Sequence, residues 1–156
     1  MSAPGIRPAV PGDRAAIRAL LDQASLPVDD LDDAPVRFWV AWDGSRVSGA
    51  VGLEPYGTTG LLRSLVVAPE ARGQGLGSAL VTTLEREARA AGIGQLVLLT
   101  QTARPLFEHL GYAVSPRETV PAAVRASAEF RHLCPASAVC MTRHLTADTR
   151  APRNPP

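Results

Sequence analysis

The sequence predicts an α/β chain: a mixed central sheet of about six to seven strands with helices on both faces. Three observations carry this. Residues 61–91, LLRSLVVAPEARGQGLGSALVTTLEREARAA, read as a strand, a glycine-dense turn and a long amphipathic helix. An apolar run at 95–100 follows that helix, the order of a parallel β-α-β unit. Upstream, apolar runs at 36–42 and 46–53 flank Asp43-Gly44-Ser45, a hairpin signal, so an antiparallel meander precedes the parallel unit.

The chain of 156 residues suits one domain, taken as 1–147, with 148–156 as a tail without apolar period. Hydrophobic content of 46% supports a real core. A net charge of +1 argues against nucleic-acid or membrane partners, and 4% aromatics are too few for base-stacking platforms. No N-terminal stretch reads as a signal peptide and no apolar run approaches the length of a membrane span, so the expected location is cytoplasmic.

Residues 6–10 form a short edge strand ending at Pro11-Gly12. Asp13 stands at the N-cap of a helix carrying Ala16, Ile17, Leu20 and Leu21. Residues 25–33 hold Asp29, Asp30, Asp32 and Asp33: a solvated loop, or an acidic lid that attracts an amine. No EF-hand spacing follows, which argues against a metal. Phe38, Trp39 and Trp42 are expected in the core. Glu54-Pro55-Tyr56-Gly57 breaks the second strand of the hairpin, and Pro69 ends the strand at 61–67. In the long helix Leu80, Leu84 and Ala88 line a buried face, with Glu85, Arg86, Glu87 and Arg89 mostly outside. A short helix over 102–110 is closed by Gly111, Tyr112 begins the next strand, and a last strand spans 138–145.

Gly73, Gly75 and Gly77 place bare N–H groups at a helix N-terminus, the build of a phosphate site. Two phosphate loops are excluded. A Walker A loop needs a lysine, and all sixteen basic residues are arginine. A dinucleotide fingerprint needs a third glycine where this chain has Ser78 or Leu80.

Arg72-x-x-Gly75-x-Gly77, directly after a strand and Pro69, resembles the acyl-CoA signature of the GNAT N-acetyltransferases. That resemblance implies acetyl-CoA as co-substrate, no metal, and direct transfer within a ternary complex. It places the main chain of Val66 and Val67 along the pantetheine arm, with Val66 or a neighbour as the backbone oxyanion donor. The N–H groups of Arg72, Gly73, Gln74, Gly75, Leu76, Gly77 and Ser78 would face the phosphates. The run LFEHLGY resembles the family's next motif, where a Tyr often stands at the position of Phe107. Phe107 would then contact the cofactor without offering a proton, so no general acid is assigned.

Glu54 is the candidate base, acting through water; the alternative is a solvated strand-end carboxylate. Arg63, in mid-strand with Ser64 pointing to the opposite face, is the candidate clamp for an acceptor carboxylate. The alternative pairs it internally with a carboxylate such as Glu54. Arg125 is a second clamp candidate. Residues 117–141, with GLEPYG and LLRSL, resemble the small acetyltransferases associated with arsenic resistance. These stand near short N-acetylglutamate synthases and the enzymes that acetylate phosphinothricin or arsinothricin. The implied acceptor is the α-amine of glutamate or such an analogue. Rival readings are a protein N-terminal or polyamine acetyltransferase and a non-catalytic acyl-CoA-binding module. Cys134 and Cys140 read as small buried hydrophobes; a zinc site with His132 and His144, or an arsenite-sensing dithiol, are the alternatives. The strand-rich C-terminus leaves room for a homodimer.

Overall fold

Antiparallel pairing builds the first half of the sheet. The computed structural model describes residues 5–32 and 34–145; Asp33 and the 148–156 tail lie outside them. β1 (Gly5–Pro8) pairs with β2 (Arg37–Trp42), β2 with β3 (Val47–Tyr56), and β3 with β4 (Thr59–Val67). α1 (Arg14–Gln23) joins the first two strands and α2 (Leu76–Ala90) carries the chain from β4 to β5 (Gln95–Thr100), which runs parallel to β4. α3 (Arg104–His109), β6 (Ala113–Val114) and α4 (Ala122–Arg125) precede β7 (Val139–His144). Among the described residues the sheet has seven strands in the order β1-β2-β3-β4-β5-β7-β6. The last strand therefore inserts beside β5 instead of adding to the edge beyond β6.

Alternation along the strands sorts the core into two layers. Trp39, Ala41, Val51 and Leu62 pack with Leu80, Leu84 and Ala88 of α2 on one face. Phe38, Val40, Ala50 and Val66 pack with Ile17 and Leu21 of α1 on the other. Farther along that sheet a third cluster joins Leu61 and Val97 to Val120, Val124 and Phe130.

Several expectations change. Trp42 is 36% exposed, stacked beneath the Arg7 guanidinium at 5.4 Å and not in the core. Asp13 is the N-cap residue of α1, as expected, but its side chain makes no cap bond; its carboxylate pairs with Arg7 at 2.8 Å and accepts the Val10 N–H. Glu85 is buried, where it accepts bonds from the Tyr112 hydroxyl and Arg143, both at 2.8 Å. The strand at 46–53 does not break at Glu54 but runs to Tyr56, with Pro55 opposite Gly60. Pairing with β2 stops at Leu53, so Pro55 has a single neighbouring strand, the edge-like setting where proline is tolerated.

Two irregularities of β4 make the site. First, Arg63 faces Gly52 and Val66 faces Ala50, so Ser64 and Leu65 together oppose Val51: a β-bulge. Ser64 takes φ +61°, and its hydroxyl oxygen accepts the Arg63 Nε–H at 3.2 Å. The two side chains thus meet, contrary to simple strand alternation. Second, β4 and β5 pair at Thr59–Gln95, Gly60–Leu96 and Leu61–Val97 and then part. Beyond that point β5 continues with β7, leaving the facing edge of β4 open.

Left-handed backbone at Ser64 penalises branching at Cβ. Ser64→Val is expected to lower unfolding free energy by about 1–2 kcal/mol, and Ser64→Gly by less, since glycine relieves the left-handed backbone and loses only the hydroxyl on Arg63 Nε. Denaturant titration of the two variants checks this.

Candidate active site

The parting of β4 and β5 opens a cavity of about 940 Å³. Residues 62–67 of β4 form one wall and residues 98–100 of β5 the other. Arg72, Gly77, Leu106 and Phe107 close one end; residues 24–29, Glu129 and Cys134 close the other.

At the first end, Gly73 and Gly75 hold φ of +81° and +75°, with Gly75 as the N-cap of α2. A Cβ at either would meet open space, so glycine is required there for its backbone conformation. Among the described residues the N–H groups of 73–78 find no protein acceptor, whereas that of Arg72, expected among them, is given to the Pro69 carbonyl at 3.4 Å; the first bonded amide of the helix is Ala79, on the Gly75 carbonyl. These amides sit at the positive end of a helix dipole, as an anion site requires. Arg72 donates its Nε–H to the Val67 carbonyl at 3.1 Å, tying the loop to β4. Gln74, Leu76 and Ser78 lie in the same turn.

Phe107 is buried at the cavity wall, edge-on to Tyr112 at 5.3 Å. Tyr112 cannot replace a missing proton donor. Its hydroxyl is committed to Glu85, and burial followed by the Glu85 charge raises its pKa. α3 closes as expected from Gly111: the Tyr112 N–H reaches the Phe107 carbonyl at 2.9 Å and the Gly111 N–H that of Glu108 at 3.1 Å.

At the other end stands Arg63, with its side chain fully buried. Asp30 takes it bidentately, at 2.7 Å from one terminal nitrogen and 2.8 Å from the other. Glu54 accepts at 3.1 Å, and Glu129 lies 3.5 Å from Nε. Burial opposes the charge, but the Asp30 bond and the charges of Glu129 and Asp30 outweigh it and raise the Arg63 pKa. The internal pairing posed as the alternative is the one observed. Arg63 can receive an acceptor carboxylate bidentately only by giving up a protein one. Arg125 is exposed, bonds the Val120 carbonyl at 3.0 Å, and does not line the cavity.

Glu54 is not a solvated strand end. It is 3% exposed, accepts the Tyr56 hydroxyl on Oε2 and Arg63 on Oε1, and lies behind the cavity wall. The acidic segment divides: residues 25–29 line the cavity, Asp30 binds Arg63, and Asp32 makes an exposed pair with Arg18. Cys140 is buried with Leu61, Val97 and Phe130, as a small hydrophobe. Cys134 instead lines the cavity, its thiol 3.6 Å from Glu129 Oε1; burial and then Glu129 push it up to about 12. Among the described residues no group of three His, Cys, Asp or Glu could hold a metal.

Sequence reasoning missed Asp30 as the Arg63 partner and Glu129 altogether. The signal for both was the mid-strand arginine, whose burial demands carboxylates that local spacing cannot identify.

Residues 34–114 match the acetyltransferase (GNAT) domain, and the chain belongs to that family. Among curated relatives, rat N-acetyltransferase 8B is 39% identical over 87 residues, covering 52% of this chain and 39% of that protein. The chain spans 39% to 62% of the length of the curated relatives it matches. The Mycobacterium tuberculosis protein Rv2747, solved with CoA, superposes with a TM-score of 0.78 at 26% identity, over 92% of this chain and 100% of that one. N-acetylglutamate synthase from Neisseria gonorrhoeae, solved with CoA and N-acetyl-glutamate, gives 0.79 at 21% identity, over 94% and 36%. No helix among the described residues is long and apolar enough to cross a membrane.

Two predictions follow from the ion cluster. Arg63→Ala removes the one guanidinium that Asp30, Glu54 and Glu129 share and should cost about 3–5 kcal/mol, measured by denaturant unfolding. Glu129 has a pKa above its ordinary value, chiefly from burial. Its protonated form therefore favours the folded chain. That stabilisation is full below the unfolded-state value and disappears as pH rises through the folded one. The melting temperature of wild type relative to Glu129→Gln should fall as pH rises across that window.

Proposed function

We propose that the protein transfers the acetyl group of acetyl-CoA to the amine of a small molecule, with an amino-acid α-amine as the acceptor class. The observation that carries this is the single cavity with unlike ends. One end meets the turn at Arg72 and Gly77, whose amides 73–78 find no protein acceptor among the described residues and suit a pyrophosphate; the other presents carboxylates to an ammonium. Family membership and the CoA complex of the Mycobacterium tuberculosis protein support the donor.

In this reading the open edge of β4 receives the pantetheine arm along Val66 and Val67. A backbone N–H at Val66 or its neighbour stabilises the oxyanion as the amine attacks. Transfer is direct. The cysteine on the cavity wall, Cys134, is held as a neutral thiol by burial and the Glu129 charge, the reverse of an activated nucleophile. Phe107 packs against the cofactor and supplies no proton.

For the acceptor, the resemblance of 117–141 supports glutamate or an analogue such as phosphinothricin or arsinothricin. Arg63 serves this acceptor by exchange: the substrate carboxylate takes the bidentate place of Asp30. A cationic amine such as a polyamine is the second reading, favoured by Asp22, Asp29 and Glu129 on the cavity wall.

Asp30→Asn separates the two while leaving Glu54 and Glu129 to neutralise Arg63. With acetyl-CoA and free-thiol detection, the variant should lower KM for L-glutamate or phosphinothricin severalfold by freeing the fork. A raised KM for spermidine, with no turnover of the acidic acceptors, would establish the polyamine reading instead.

A further inference from the structure

Glu129 is a buried carboxylate on the wall of the acceptor end, 3% exposed, in the π-helical turn Glu129–Leu133. Its two oxygens are held apart by different partners. Oε2 faces Arg63 Nε at 3.5 Å, and Oε1 faces the Cys134 thiol at 3.6 Å. Glu54, the carboxylate the sequence offers as base, has both oxygens occupied and does not reach the cavity wall.

We propose that Glu129 is the general base of the reaction, taking the ammonium proton of the acceptor amine. The assignment rests on the acetyl-transfer reading above. The first proton leaves the ammonium nitrogen for the Glu129 carboxylate. The free amine then forms the N–C bond at the thioester carbonyl, and the C–S bond breaks as the tetrahedral adduct collapses. The second nitrogen proton ends on the departing CoA thiolate, and Glu129 returns its proton to solvent. Atoms and charge balance without a covalent enzyme intermediate.

The surroundings suit a base that must be ionised at neutral pH yet basic enough to act. Burial raises its pKa, Arg63 from β4 and the Cys134 thiol restrain that rise, and Asp30 and Glu54 from the opposite elements add to it. Cys134, a thiol throughout the working range, is a positioning residue that fixes the Oε1 side.

The test compares wild type, Glu129→Gln and Glu129→Asp for CoA-thiol release from acetyl-CoA, with L-glutamate, phosphinothricin and spermidine as acceptors across pH. Glu129→Gln should lower kcat about a hundredfold or more, with KM for acetyl-CoA little changed, and lose the acidic limb of the kcat profile. Glu129→Asp, which keeps the charge and the ion cluster, should retain a displaced limb at reduced kcat, so the assignment stays testable if the Gln variant is unstable. An active wild type whose Glu129 variants keep kcat and the acidic limb overturns the base assignment alone. A wild type that releases no thiol with any acceptor overturns the acetyl-transfer reading and the assignment with it.

Discussion

The constraint on which the acceptor half depends is the neutralisation of one buried guanidinium. Arg63 lies in the middle of a sheet, where an isolated charge would cost several kcal/mol even after relaxation. Three distant parts of the chain converge to meet it. The segment after α1 brings Asp30, the extended end of β3 brings Glu54, and the turn before β7 brings Glu129. The bulge at Ser64 serves the same end, because it turns a neighbouring hydroxyl toward Nε. The ion cluster ties the first loop and the C-terminal turn to the central strand.

The cofactor half depends on a different device, the parting of two parallel strands. β4 and β5 share three pairs and then diverge. Antiparallel pairing with β7 holds β5 from Gln95 to Thr100, so β5 stays in the sheet after its pairing with β4 has ended. An open strand edge then lies beside a helix N-terminus with unpaired amides. Both are features of the backbone, which is why a cofactor site can be built here with few dedicated side chains.

That distinction explains what was legible in the sequence. The glycine turn, the α2 stripe of Leu80, Leu84 and Ala88, the Asp-Gly hairpin and the Gly111 stop are local signals, and the structure follows each. Pro55 misled because its effect depends on how many strands flank it, a tertiary fact. Trp42 misled because a strand end can leave an aromatic at the sheet margin beneath an arginine. Glu85 misled because a helical wheel records polarity and not partners: Tyr112 and Arg143 arrive from elements far along the chain. The site divided in the same way. Gly73, Gly75 and Gly77 could be read directly, whereas the fate of Arg63 hung on Asp30, 33 residues away.

The two halves also explain how one cavity keeps two unlike substrates in order. A polyanion is drawn to amides at a helix N-terminus and repelled by the carboxylates opposite; an ammonium experiences the reverse. In the proposed reading charge favours the direction in which each enters, and their reactive ends would meet along β4 near Val66. The acceptor end is lined by residues 24–29 and by Arg63 and Glu129, whose side chains are buried, so the field between this guanidinium and carboxylate is screened less than at an exposed surface. In such a place a carboxylate beside a guanidinium can remain ionised and still be a stronger base than in water. A proton acceptor belongs there, at the end where the amine arrives, and not behind the wall where Glu54 is already bound.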